Sequence, residues 1–164
     1  MADAPAFARA ADIVASLELL AERCPDPAPM IYRRLFETHP RMQPYFWRDK
    51  DGSIKGEMLA RTIEAILDFV GERRYADHMI GTEMVTHEGY MVEREVFITF
   101  FTSIRDSARE ILGGEWTAEF EAAWAEMLAE IAAFVNLTPR SDVDNAFYGK
   151  LKDDFEHGQI PLPV

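Results

Sequence analysis

Few side chains in this sequence suit metal, redox or acid–base chemistry: His39, His78, His87 and His157, with Cys24 as the single cysteine. One thiol makes neither an internal disulfide nor a cysteine-rich zinc site. Cys24 also lies on an apolar line at a helix end, where packing explains it better than nucleophilicity. His87 stands in "THEGYMV", between a helical stretch and a long apolar run. An isolated histidine is more often a surface or hydrogen-bonded core residue than a metal ligand, so spacing alone leaves all three roles open. Di-iron bundles need Glu-x-x-His units. Here Met84 is three before His87, Glu83 is four before, and no second unit exists. No Gly-x-Ser-x-Gly elbow or phosphate-cradling glycine loop occurs either. Glu119, Glu126 and Glu130 recur at the spacing of a solvated helix face. Tyr32 falls on the inner side of an apolar stretch, so its hydroxyl needs a partner, most simply a main-chain carbonyl. Phe46, within "PYFW", reads as an ordinary packing residue.

These residues have to be positioned by helices. Apolar residues recur at helical spacing along most of the chain, and sustained alternation of period two is absent. Ile13, Leu17, Leu20 and Cys24 mark a first helix that "PDPAP" at 25–29 terminates. A second helix starts near Pro29 with Ile31, Tyr32, Leu35 and Phe36, and stops at His39-Pro40 because the residue before proline avoids the α region. "RDKDGS" reads as a turn with its corner at Asp51-Gly52. Leu59, Ile63, Ile66, Leu67 and Val70 predict a long third helix, and a weaker one spans 75–87. Val96, Phe97, Phe100, Phe101, Ile104 and Ile111 give the next helix an apolar face too wide for the surface, so it is expected to be central. After Gly113-Gly114, the series Thr117, Phe120, Trp124, Met127, Ile131 and Phe134 defines the last long helix. The expected class is all-α, six to eight helices in one domain over 1–139, with 140–164 as a C-terminal extension containing a short helix around "DNAFYGKLKDDF".

Bulk composition narrows the partners. A formal charge of −12 and 48% apolar residues fit a globular acidic protein and disfavour nucleic acid or anionic lipid, which call for clustered Lys and Arg. No uncharged run approaches the ~20 apolar residues of a membrane span. Asp12, Glu18 and Glu22 interrupt any signal-peptide reading of the first residues. The expected location is the cytoplasm.

From about residue 28 to 136 the chain resembles the globin family, specifically its bacterial single-domain and flavohaemoglobin branch. The resemblance is carried by "IYRRLFETHP", "PYF", a polar turn into "KGEMLARTIEAI", then "THEGYMV" and "LGGEWTAEFEAAW", in that order. It implies a globin-like fold around a pocket for haem b, with His87 as the axial iron ligand. By the same resemblance Phe46 packs on the porphyrin, Val92 touches its edge, and Tyr32 is the distal hydrogen-bond donor to a bound gas. Lys55 falls where relatives carry a distal Gln or His, with a one-residue gap in register. Leu59, one turn on, would limit the space above the iron.

Two departures temper the likeness. Phe97 stands where flavohaemoglobins have a tyrosine, and their glutamate partner of the proximal histidine corresponds to a position near Ser141. Losing such acceptors lowers the basicity of a ligating imidazole. The expected function is therefore reversible binding of O2, with NO or CO as further ligands, at a five-coordinate iron in transport or sensing, with no catalytic residue assigned. NO dioxygenation served by an external reductase is the enzymatic alternative, and a non-haem sensor or interaction module is the other.

Overall fold

The computed structural model describes residues 7–138. It contains α1 (Ala10–Arg23), α2 (Ala28–Thr38), α3 (Ser53–Val70), α4 (Ala76–Gly89), α5 (Arg94–Leu112) and α6 (Ala118–Leu137). Two 3-10 segments, Pro40–Phe46 and Gly113–Glu115, lie between them, and there is no strand among the described residues. The all-α expectation of six to eight helices is met. The extension at 140–164, with its short helix, lies outside the described residues.

Polar side chains set the helix starts. Asp26 Oδ1 accepts from the Ala28 N–H at 3.2 Å ahead of α2, and Thr117 Oγ1 accepts from the Phe120 N–H at 3.1 Å ahead of α6. Each satisfies an amide that the first helical turn leaves without a partner. The chain reaches α3 through Gly52, whose φ of +79° few other residues adopt. Asp49 then reaches forward to the first turn, its Oδ1 and Oδ2 accepting the Ile54 and Lys55 N–H groups at 3.0 and 3.1 Å.

Helix α4 is capped from a distance. Asp68, near the end of α3, accepts the N–H groups of Arg74, Tyr75 and Ala76 at 3.3, 2.8 and 2.7 Å. Burial alone would push this carboxyl up, but those three donors hold it below its usual range. A group depressed in the folded state contributes stability above its unfolded pKa of about 4 and loses that contribution as pH falls through the lower folded value. Acid unfolding followed by circular dichroism is therefore expected to steepen below about pH 4, and Asp68→Asn to flatten that limb.

Helix α5 packs against α1, α2, α4 and α6, as its broad apolar face required. Ile104 and Ala108 are fully enclosed there. The centre of the core is Trp124 on α6, also fully enclosed, whose Nε1 donates to Ser16 Oγ on α1 at 2.9 Å. Ser16 in turn donates to the Ile13 carbonyl at 2.7 Å, so no polar atom of this contact is stranded. Arg94 ties α6 to the start of α5, donating to the Val135 and Thr138 carbonyls at 2.6 and 2.7 Å and to Glu88 at 2.7 Å. Val135, in the last turn of α6, and the Thr138 cap thereby gain a donor for carbonyls that a helix C-terminus leaves over.

On α3 the expected apolar face differs in detail. Leu59, Ile66 and Val70 are buried with Ala65 and Phe69, but Ile63 is half-buried and Leu67 is 39% exposed. Successive residues rotate by about 100°, so Ile66 and Leu67 cannot both face the same neighbours. One side of α3 meets the core, and an adjacent stripe is left for something else.

Candidate functional site

A different line of α3, through Met58, Thr62 and Ala65 rather than Ile63 and Leu67, faces a cavity of about 380 Å³ bounded by α3, α4, α5 and the 3-10 segment, and also lined by Tyr32 and Leu35 of α2. Its size falls in the range of small-molecule and cofactor sites. Most of the wall is apolar, with Leu35, Met42, Phe46, Met58, Val96 and Phe100 as representative residues.

His87 is the one histidine on this wall among the described residues. It sits in the last turn of α4, its side chain 26% exposed. Nδ1 lies 2.6 Å from the main-chain carbonyl of Glu83. A carbonyl only accepts, so Nδ1 donates, and in the neutral ring that leaves Nε2 with a free lone pair. The Glu83 carboxylate is 3.9 Å from Nδ1, beyond hydrogen-bonding distance. The Phe97 ring meets the imidazole edge-on, 5.2 Å between centroids and 66° between planes. The His87 carbonyl accepts from the N–H groups of Tyr90 and Val92 at 3.0 and 2.9 Å, through a turn that places Met91 at φ +62°. Val92, 8% exposed, returns to the cavity wall beside the imidazole's helix.

Tyr32, also on the wall, is 2% exposed, its ring packed on Phe46 and Phe100 at 5.3 and 5.2 Å. Its hydroxyl donates to the Lys55 carbonyl at 3.1 Å, the main-chain partner its burial called for. Burial, and then the charge of Asp49, push this phenol well above its usual range, so it keeps its proton and acts as a donor.

Tyr32, Phe46, Val92, Phe97 and His87 thus share one cavity; Lys55 and Leu59 do not join them. The Lys55 ammonium lies 3.5 Å from Asp49 Oδ2, and the residue borders a separate groove outside Tyr32. Leu59 is buried against the core instead. The α3 residues on the wall are Ile54, Met58, Arg61, Thr62 and Ala65, and the line Ile54–Met58–Thr62 is offset by one residue from the Lys55–Leu59 pair. The displacement originates in the turn before α3, whose length fixes the helix register and is not encoded in any periodicity. The spacing of Ile54, Met58, Thr62 and Ala65 is itself helical and was the available signal. Arg61 stands on the rim, paired with Glu57 at 2.9 Å. At another edge Tyr45 donates to the Tyr90 carbonyl at 2.9 Å, bridging the 3-10 segment to the end of α4.

The other histidines lie elsewhere. His39 Nε2 is 3.2 Å from Thr99 Oγ1, His78 borders a shallow groove between α4 and α6, and His157 is outside the described residues, as is Ser141. No group of three or more His, Cys, Asp or Glu side chains that could hold a metal gathers among the described residues. No helix among them is long and apolar enough to cross a membrane.

The family model described as Globin matches residues 29–135. No curated protein and no solved structure matches the chain.

Proposed function

Because the chain belongs to the globin family, whose members typically bind haem, we propose that it holds haem b in the 380 Å³ cavity and reversibly binds a diatomic gas there, O2 first and NO or CO as well. The observation that carries this reading is His87 on the cavity wall with Nδ1 2.6 Å from the Glu83 carbonyl, an arrangement in which the neutral imidazole has its Nε2 lone pair free for a metal. His87 would be the residue that holds the iron, and the haem's own nitrogens would complete its ligand set. The haem would provide an iron with one coordination position left for the gas. Val92, Phe97 and Phe46 offer it apolar surface, and Arg61 on the rim offers a cation to its carboxylates. Tyr32 supplies a hydroxyl hydrogen in a water-poor setting, where a donor to a partly negative ligand is worth most.

Binding is favoured over catalysis by the proximal side. The Nδ1 proton of His87 meets a neutral carbonyl, and the nearest carboxylate is 3.9 Å away. A neutral acceptor pushes less electron density toward a metal than a carboxylate does. Haemin added to the apo-protein should give a Soret band saturating at one equivalent, and the reduced form should shift on adding CO. An unchanged haemin spectrum would remove the haem and leave an interaction module on the same scaffold.

Tyr32→Phe tests the donor. Losing one charge-assisted hydrogen bond, worth about 1.5–3 kcal/mol, should speed O2 release about 10- to 100-fold in stopped-flow measurements. Soret absorption in the deoxy state should be unaffected.

A further inference from the structure

The Tyr32 phenol has one hydrogen, and it is already in use. It goes to the carbonyl of Lys55 at 3.1 Å, while the ring that carries it lines the cavity. A gas ligand in that cavity must compete for the same proton, and the strength of the existing bond sets the terms.

Lys55 is an unusual acceptor because a side chain that never meets Tyr32 by hydrogen bond pins it. Asp49, its carboxylate wholly shielded from solvent, accepts the Lys55 N–H at 3.1 Å and the Ile54 N–H at 3.0 Å, and holds the Lys55 ammonium at 3.5 Å. The peptide and the side chain of one residue are therefore both anchored on a single carboxylate, and the carbonyl of that residue is the acceptor for Tyr32. Anchors on a helix's first turn restrict its fraying, so the acceptor is held still.

We propose that Asp49 is a positioning residue for the gas ligand: by clamping Lys55 it fixes the carbonyl that draws the Tyr32 proton away from the cavity. This rests on the haem-globin reading above. The clamp lowers retention of any ligand that accepts a hydrogen bond, and loosening it raises retention.

Asp49→Asn keeps the size and one carbonyl acceptor but removes the second acceptor and the charge that holds Lys55. The readout is the C–O stretch of CO bound by the haem-loaded protein, which splits into a lower-frequency population receiving a hydrogen bond and a higher-frequency one that does not. Asp49→Asn should move population to the lower band and slow O2 release by about 2- to 10-fold, the worth of one ordinary hydrogen bond. The same change made in the Tyr32→Phe background should alter neither, because the proton it redirects is gone. Unchanged bands, a shift to the higher band, or an equal effect in both backgrounds overturns the proposal. Should Asp49→Asn not fold, Lys55→Met decides in its place: a smaller shift in the same direction upholds the clamp and none refutes it. Failure of the parent protein to give a Soret band would instead refute the haem reading, a result these comparisons keep separate.

Discussion

Replacing His87 with alanine is expected to leave the helices standing and to lower haem affinity by more than about 100-fold. Changing a group that merely orients a metal ligand typically costs 10- to 100-fold, and His87 is proposed as the ligand itself. Little of the fold depends on it. Its side chain is 26% exposed, it adds no enclosed surface to the core, and its Nδ1 bond goes to a carbonyl of its own helix. The loss in unfolding free energy should stay within ~1 kcal/mol, the net worth of one hydrogen bond. Haemin titration followed at the Soret band, beside far-ultraviolet circular dichroism of the same samples, separates the two effects. Free imidazole should restore the parent spectrum by occupying the space the side chain leaves. A haem-loaded variant whose proximal spectrum matches the parent would show that the iron ligand lies elsewhere.

The experiment bears on why the helices were unequally legible in the sequence. Helix α6 announced itself because its periodic residues, Trp124, Met127 and Ile131, all face protein. Helix α4 gave a weak signal for a physical reason. Only the narrow line Ala76, Ile80 and Met84 is buried, while Met79, Glu83, Thr86 and His87 face the cavity. A helix whose second contact face meets a cavity rather than a core has no need to keep that face uniformly apolar. Helix α5 shows the converse: Ile104 and Ala108 serve the core and Phe97 and Phe100 the cavity, and the sum looks like one overwide apolar face.

The site was legible to the same uneven degree. His87, Tyr32, Phe46 and Val92 lie in the ordered motifs and Phe97 follows them as a departure from the family pattern, and all five share one cavity. Met58, Thr62 and Ala65 were missed, since the residues before α3 form a turn whose hydrogen bonds decide the register. Asp49 shows how: it holds the first helical turn through the Ile54 and Lys55 amides, five and six residues along. A side chain reaching forward across a turn leaves no trace in hydrophobic spacing. The 3-10 form of Pro40–Phe46 was likewise invisible, because a dense aromatic stretch broken by Pro44 fits several irregular backbones.

Trp124→Ala is the complementary experiment, with a large effect on stability and none of its own on the chemistry. Trp124 is fully enclosed between α6 and α1 and does not line the cavity. Truncating such a side chain costs about 3–5 kcal/mol in lost burial and residual cavity. Ser16 keeps the bond it donates to Ile13, so only the one it accepts is lost and no further large penalty follows. Set against the 5–15 kcal/mol that holds a typical domain together, this removes a large share of the apo-protein's stability, all of it at the low end of that range, and urea titration would measure it as a lowered midpoint. The cofactor should counter that loss. A ligand that binds only the folded state at a thousand times its dissociation constant adds about 4 kcal/mol, enough to bring Trp124→Ala back to a folded, red protein. The two variants then answer differently to excess haemin: Trp124→Ala regains both its helicity and its spectrum, while His87→Ala keeps its helicity and lacks the spectrum. If Trp124→Ala binds haemin without gaining resistance to urea, the cavity and the core are not the coupled parts of one fold that α5 makes them here.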